Sequence, residues 1–127
     1  MVEKYSVIYP SGEIRLEEIK RDLMLDRMHE IIGCDCLEQV RTIVPGMVLI
    51  VDESGKIKDP PQQHNELASL LYMGYLKGPD DICGPAILAS LQPTGPLEEM
   101  DWFPITQFHA SVLRIMGFEL PEVANET

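Results

Sequence analysis

The chain has 127 residues, of which 45% are hydrophobic and 24% are charged, a profile typical of one globular domain. Its net charge of -11 gives a surface that repels phosphate, so we expect no direct binding to nucleic acid. No apolar run reaches the ~18 residues of a membrane-spanning helix, and the opening MVEKYSVIYPSG does not resemble a signal peptide.

The first third of the sequence predicts a β-hairpin followed by a helix. Residues 5–9 and 13–17 are extended in character, and the Pro-Ser-Gly between them is typical of a turn. The segment RDLMLDRMHEIIG then has helical spacing, with Asp22 as its N-cap and Gly33 as its left-handed terminus. The predicted inward face contains Leu25, Met28 and Ile32, with Met24 and Ile31 beside it.

Two strands are predicted in the middle of the chain. CLEQVRTIV alternates apolar and polar residues, which is typical of a half-exposed strand, whereas the unbroken MVLIV predicts a central strand that is covered on both faces. A hairpin turn at 52–55 and a short returning strand at 56–58 complete this region.

The second half predicts a helix, a strand and a last helix. NELASLLYMGYL has Asn65 as its N-cap. DICGPAILASL reads as a strand whose Gly-Pro pair indicates a bulge or an edge position. QPTGPLEEMDW is interpreted as a loop, and ITQFHASVLRIMGF as a helix in which His109 has a structural role. The inward faces of the two helices are predicted to contain Leu67, Leu70, Leu71 and Met73 or Gly74, and Ile105, Phe108, Val112 and Ile115 or Met116.

Grouped strands with helices able to cover one face predict an α+β fold, with a mixed, mostly antiparallel sheet and helices packed on it. We expect residues 1–127 to form a single compact domain, with a core of about 5–116 and an acidic tail at 119–127.

The odd number of cysteines and the absence of a signal peptide favour free thiols in a reducing cytoplasm. A metal site could be drawn from Cys34, Cys36, Cys83 and His29, but structural zinc prefers two to four residues between paired cysteines. We therefore expect small buried thiols, no metal and no cofactor.

The negative charge is concentrated after residue 58, where only Lys77 and Arg114 are basic. We favour solubility as the reason, and the alternative is contact with a basic protein. In that case the partner-binding residues are predicted to be Asp80, Asp81, Glu98, Glu99 and Asp101.

The loop at residues 62–65 has two interpretations. It is a connector whose asparagine caps the next helix, which we favour, or it faces an anionic ligand at the helix terminus. The second interpretation predicts ligand-binding residues at Lys56, Lys58, His64 and Asn65. We find no nucleophile motif and no glycine-rich phosphate loop, so we predict no catalytic residue, although a scattered active site stays open.

Self-association is also predicted, because aromatic residues and methionine are enriched at interface centres. The chain has seven methionines, and Tyr72, Tyr75 and Trp102 are expected to be exposed. Tyr72 and Tyr75 are expected to share one helix face beside Leu76.

LIVDESGKIKDPPQQHNELASLL, followed by DDICGPAILAS, resembles a small family of bacterial, plasmid and bacteriophage proteins catalogued as a domain of unknown function. The resemblance covers about residues 5–91, although Pro85 stands where an acidic residue is more usual. The residues that carry it are 49–51, Asp52, Glu53, Gly55, Lys56, Pro61, Asn65, Ala68, Asp81, Ile82, Cys83 and Gly84.

The resemblance implies a setting in a virus or mobile element, and therefore the host-cell cytoplasm if the protein is viral. It favours a non-enzymatic binding protein that counters host defence, either by sequestering a small nucleotide-like ligand or by blocking a host protein through the acidic surface. The alternative is a small cytoplasmic enzyme or housekeeping protein.

Overall fold

The computed structural model describes residues 2–33, 36–53, 62–77, 81–96 and 99–121. Within these ranges the chain forms six strands, three α-helices and two short 3-10 turns. In chain order these are β1 Val2–Ile8, β2 Ile14–Lys20, the turn Arg21–Leu23, α1 Met24–Ile32, β3 Leu37–Arg41, β4 Met47–Asp52, α2 Glu66–Leu71, the turn Met73–Lys77, β5 Ala86–Pro93, β6 Met100–Phe103 and α3 Gln107–Ile115.

The strands form one sheet in the order β2-β1-β5-β4-β3, with β6 also paired to β5. Every described pairing is antiparallel, so the predicted α+β class is confirmed. β4 runs along one edge of β5, and two strands share the other edge. β1 pairs there with Ala86 and Ile87, and β6 pairs with the segment from Ser90 to Pro93.

Helices cover both faces of the sheet, not one face as the element order suggested. Met24, Met28 and Ile32 of α1 pack on the face that contains Val48 and Ile50. The opposite face contains alternate residues of β4 and is covered by α2 and α3, through Ala68, Leu71 and Leu113. All six residues of β4 are buried, which confirms the prediction of a strand covered on both faces.

The helix ends and helix faces were predicted with mixed success. Gly33 is left-handed and Asn65 caps α2, as predicted, by accepting a hydrogen bond from Ala68 N. Asp22 is not the cap of α1, because it lies in the preceding 3-10 turn and Leu23 occupies the cap position. The predicted inward residues Leu25, Leu70, Met73, Phe108, Ile115 and Met116 are exposed.

The Gly84-Pro85 pair was predicted to interrupt the strand at a bulge or an edge position. It precedes β5 instead, and β5 lies in the interior of the sheet, so the edge alternative is wrong. β6 occupies a segment that was interpreted as a loop. The returning strand at 56–58 and the tail after residue 121 lie outside the described residues. Among the helices that the structure describes, none is long and apolar enough to cross a membrane.

Candidate functional site

A short two-stranded ladder outside the main strands lies just before β5, and we call residues 62–65 and 81–84 the His64 end of the sheet. His64 stands opposite Cys83 in an isolated antiparallel bridge. Hydrogen bonds flank this pair but do not join its two residues. In an antiparallel ladder such a pair has its two side chains closer together than a hydrogen-bonded pair does. The flanking bonds run from Gly84 N to Gln63 O at 2.7 Å and from Asn65 N to Ile82 O at 2.8 Å.

Three chemically different side chains meet on this ladder. Asp81 is two residues before Cys83, and residues two apart in an extended segment point to the same side. Asp81 Oδ2 lies 2.7 Å from His64 Nδ1 and 4.0 Å from Cys83 Sγ. One potential ligand atom from each residue lies within 4.8 Å of the other two. The His64 side chain is 49% exposed and that of Asp81 is 29% exposed, so a molecule in solution can reach them.

Buried hydrogen bonds hold the backbone of this ladder in place. Asn65 is fully buried, and its Nδ2 donates to Ile8 O at 2.9 Å and to Gly84 O at 2.8 Å. Ser69 Oγ donates to Asn65 O and accepts from Ile82 N, both at 2.8 Å. A ligand could reach the Asn65 side chain only by breaking these bonds, so its role here is to position its neighbours, not to bind directly.

Gly84 allows Gln62 to pack closely against the ladder. Its φ is 86°, and a Cβ at this position would lie 1.7 Å from Gln62 Oε1. Gln62 Nε2 faces Ile32 O at the end of α1, at 3.5 Å. Gln62 Oε1 is buried without a hydrogen-bond partner in the part of the chain that the structure describes.

The predicted acidic residues do not form one patch among the described residues. Asp81 precedes β5, whereas Glu99 and Asp101 lie at or next to β6, which pairs with the far half of β5. β5 has eight residues, which corresponds to roughly 23 Å of extended chain between the two positions. Lys56, Lys58, Asp80 and Glu98 lie outside the described residues.

We call the far end of β5, with β6, the Trp102 end. There Arg21 Nη2 lies 2.6 Å from Glu3 Oε1, and Nη1 lies 3.2 Å from Asp101 Oδ2. Nη1 also donates to Trp102 O at 2.7 Å, and the guanidinium lies 4.3 Å from the centre of the Phe103 ring. The carboxylate of Asp101 is thus engaged within the chain. No local signal marks Arg21, since its partners lie far away in the sequence.

Tyr5 lies beside this network, and its hydroxyl donates to Trp102 O at 3.3 Å. Burial of the ring, with the negative charge of Glu3 next, raises the pKa of Tyr5 well above its usual value, while Arg21 opposes the increase. The phenol is therefore neutral at physiological pH and acts as a donor.

The residues predicted for self-association are arranged differently from the expected helix face. α2 ends at Leu71, and Tyr72 takes an extended backbone, pairs with Thr42 and packs against the core. Tyr75 and Leu76 lie in the following 3-10 turn and are exposed. Self-association stays a prediction.

The cysteines also differ from their predicted positions. Cys36 is exposed and not buried as expected, Cys83 is half-buried, and Cys34 lies outside the described residues. Sequence spacing grouped Cys83 with the other cysteines, whereas the fold pairs it with His64 and Asp81. Only the backbone pairing across the ladder brings these three together.

Residues 4–102 match a family described as a domain of unknown function, DUF3846. The chain belongs to this family. The DUF3846 match begins within β1, includes the whole His64 end and ends at Trp102 within β6, so α3 lies beyond the matched region. No curated protein and no solved structure matches the chain.

Proposed function

We propose that the protein is a non-enzymatic binding protein and that it captures a small ligand at the His64 end of the sheet. The observation that carries the proposal is the convergence of His64, Asp81 and Cys83 on one side of a rigid ladder. Polar side chains on a backbone that hydrogen bonds hold in place are preorganised, so they bind a ligand at a low cost in conformational entropy.

The resemblance to bacterial, plasmid and bacteriophage proteins supplies the biological setting of the proposal. In that setting the protein counters host defence by sequestering a nucleotide-like signal. A nucleotide brings negative charge toward Asp81, so it needs positive charge in compensation. The sequence offers Lys56 and Lys58, which lie outside the described residues, and a second subunit is the other source.

Blocking a basic host protein through the acidic surface is the less favoured mode. The described acidic residues are divided between the two ends of β5, and Asp101 is paired with Arg21. A partner that contacts Asp101 must compete with this ion pair, and separated charges focus a weaker field than one patch.

The enzyme alternative would use Cys83 as a nucleophile with His64 and Asp81. In a nucleophilic triad the carboxylate stands behind the imidazole, and the imidazole contacts the nucleophile. Here one Asp81 oxygen lies 2.7 Å from the imidazole and 4.0 Å from the thiol, so the carboxylate faces both groups. This geometry suits shared binding of one ligand better than proton transfer from the thiol to the imidazole.

The proposal is tested by mass spectrometry of small molecules that heat releases from the gently purified protein. We expect a nucleotide-like compound from the wild type and from the Glu99→Gln, Asp101→Asn double variant. We expect it to be lost from His64→Ala, from Asp81→Asn and from the Lys56→Ala, Lys58→Ala double variant. Release in equal amount from all of these proteins, or from none, would contradict the proposal.

A second test addresses the biological role. Expression in a bacterial host that carries a nucleotide-signalling defence should restore phage plaques, and His64→Ala should not restore them. If the Glu99→Gln, Asp101→Asn variant loses this effect while His64→Ala keeps it, the protein acts by contacting its partner through the acidic surface. The hypothesis of ligand capture is then wrong.

A further inference from the structure

We propose that a ring nitrogen of His64, Asp81 Oδ2 and Cys83 Sγ bind one divalent transition-metal ion of the zinc type. The inference rests on the proposed function, because it names the group through which the His64 end would hold its ligand. It departs from the expectation of no metal, which considered Cys83 only together with Cys34, Cys36 and His29.

The donor set selects the class of ion. Zinc in proteins is bound by cysteine sulfur, histidine nitrogen and carboxylate oxygen, and all three donors are present here. Calcium and magnesium take oxygen ligands, and only Asp81 offers one in this group of side chains. Imidazole and thiolate favour the softer first-row ions, so the ion is zinc or a close relative of it.

The distances between the three ligand atoms fit a tetrahedral zinc site after small movements of the side chains. Ligand atoms around a tetrahedral zinc ion are separated by about 3.3 to 3.8 Å, given bond lengths of about 2.0 to 2.3 Å. The described separations include 2.7 Å from His64 to Asp81 and 4.0 Å from Asp81 to Cys83, and no pair exceeds 4.8 Å. Rotation of the side chains by about half an ångström at their tips brings the measured pairs into this range.

The backbone already places the ligands on one side. His64 and Cys83 are a closely spaced cross-strand pair, and Asp81 is two residues before Cys83. The bonds made by Asn65 and Ser69 hold both segments, so metal binding does not require the chain to fold around the ion. The three protein ligands among the described residues leave one position of a tetrahedral site for water or for a captured ligand.

The test is a titration of the tag-free, chelator-stripped protein with zinc chloride, in competition with a chromophoric chelator. We expect one zinc ion per chain for the wild type, and binding that is weaker by at least about 10-fold in His64→Ala, Asp81→Asn and Cys83→Ser. Magnesium should not compete. Cys36→Ser is the matched control, because it removes an exposed thiol outside the group, and it should bind zinc as the wild type does.

Urea unfolding of each variant shows that it is folded. If Cys83→Ser fails to fold, His64→Gln carries the test, since the His64 side chain is half exposed. The inference is overturned if the wild type shows no saturable zinc binding, or if Cys36→Ser loses as much affinity as Cys83→Ser.

The outcome also separates this inference from the proposed function. Zinc binding that depends on the three residues, in protein that releases no nucleotide-like compound, upholds the metal site and rejects the proposed function. A released nucleotide that depends on His64, in protein that binds no zinc, upholds the function and rejects the metal site.

Discussion

Polar side chains lie near both ends of β5, just before its start and beside its far half, and the two groups have different roles. At the His64 end, buried bonds from Asn65 and Ser69 hold the backbone, while the side chains of His64 and Asp81 reach the surface. At the Trp102 end, Arg21 contacts two carboxylates and a carbonyl, so the charged groups are satisfied by one another.

The difference teaches that the number of charges in a segment does not mark a binding site. Asp101 and Asp81 looked equivalent in the sequence, yet the first ties β6 to the turn that follows β2, and the second faces a histidine and a thiol. The useful distinction is whether the hydrogen bonds fix the backbone and leave the side chains at the surface, or join the charged side chains to one another. A held backbone with surface side chains is suited to binding, and a closed ion-pair network is suited to stability.

The largest effect is expected from Asn65→Ala. The substitution removes the cap of α2 and leaves the buried carbonyls of Ile8 and Gly84 without their donor, so the free energy of unfolding should fall by about 4 kcal/mol. Thr106→Ala is the control, since Thr106 also caps a helix, and it should cost only about 1 kcal/mol. Equal losses in urea unfolding would show that the Asn65 network is not special.

Gly84→Ala should have the next largest effect. A Cβ at this position is disfavoured by the positive φ of 86° and also clashes with the Gln62 side chain. We therefore expect the free energy of unfolding to fall by about 3 kcal/mol. Gly12→Ala isolates the backbone contribution, because its φ is 94° and nothing lies within 4 Å, and it should cost about 1 kcal/mol. If both variants have the same unfolding midpoint, Gln62 does not pack where it is described.

The Trp102 end should respond moderately to Arg21→Ala. Its side chain is 30% exposed and contacts two carboxylates, so we expect a loss of about 2 kcal/mol by thermal or urea unfolding. Arg15→Ala is matched to it, since Arg15 also lies over an aromatic ring and pairs with one acid, but it is 53% exposed. That control should change stability by no more than about 0.5 kcal/mol, and the comparison fails if it costs as much as Arg21→Ala.

Much of the fold follows from local sequence signals, and the site does not. The cap at Asn65, the left-handed Gly33 and the apolar β4 are set by residues within a few positions of each other. β6 was missed because its four residues are stabilised by pairing with β5. The inward face of α3 was predicted only in part, because Ile105 and Val112 pack against the core while Phe108 and Ile115 are exposed. His109 is buried there, and its contact with Pro45 O spans 64 positions, which no local pattern shows.

The candidate site was predicted only in part. His64 was singled out because of its loop, but its contacts with Asp81 and Cys83 cross 17 or more positions and depend on the backbone ladder. Asn65 was favoured as a helix cap, with ligand binding as the alternative, and its burial and hydrogen bond from Ala68 N agree with the favoured interpretation. Separations of this kind are set by strand pairing, which short motifs do not encode.

The smallest effect on stability is expected at Tyr9, which directly follows β1. Burial, with the hydrogen bond to Glu17 next, raises the pKa of Tyr9 from 10.0 to about 12. The unfolded chain therefore loses the phenolic proton first. Stability from this group is fully present below pH 10 and falls as the pH rises toward about 12. Tyr9→Phe should lose stability less steeply across this window in urea unfolding, and slopes equal to the wild type would contradict the assignment.

The most direct test of the central claim, that binding occurs at the His64 end, is a nitrogen-15 NMR titration. The protein has one tryptophan, so the single indole signal of Trp102 reports the other end of β5. With zinc chloride and with a panel of linear and cyclic nucleotides as probes, we predict the largest shifts at residues 62–65 and 81–84 for at least one probe, while the indole signal stays in place. Shifts centred on the Trp102 indole, or no shift with any probe, would contradict the account.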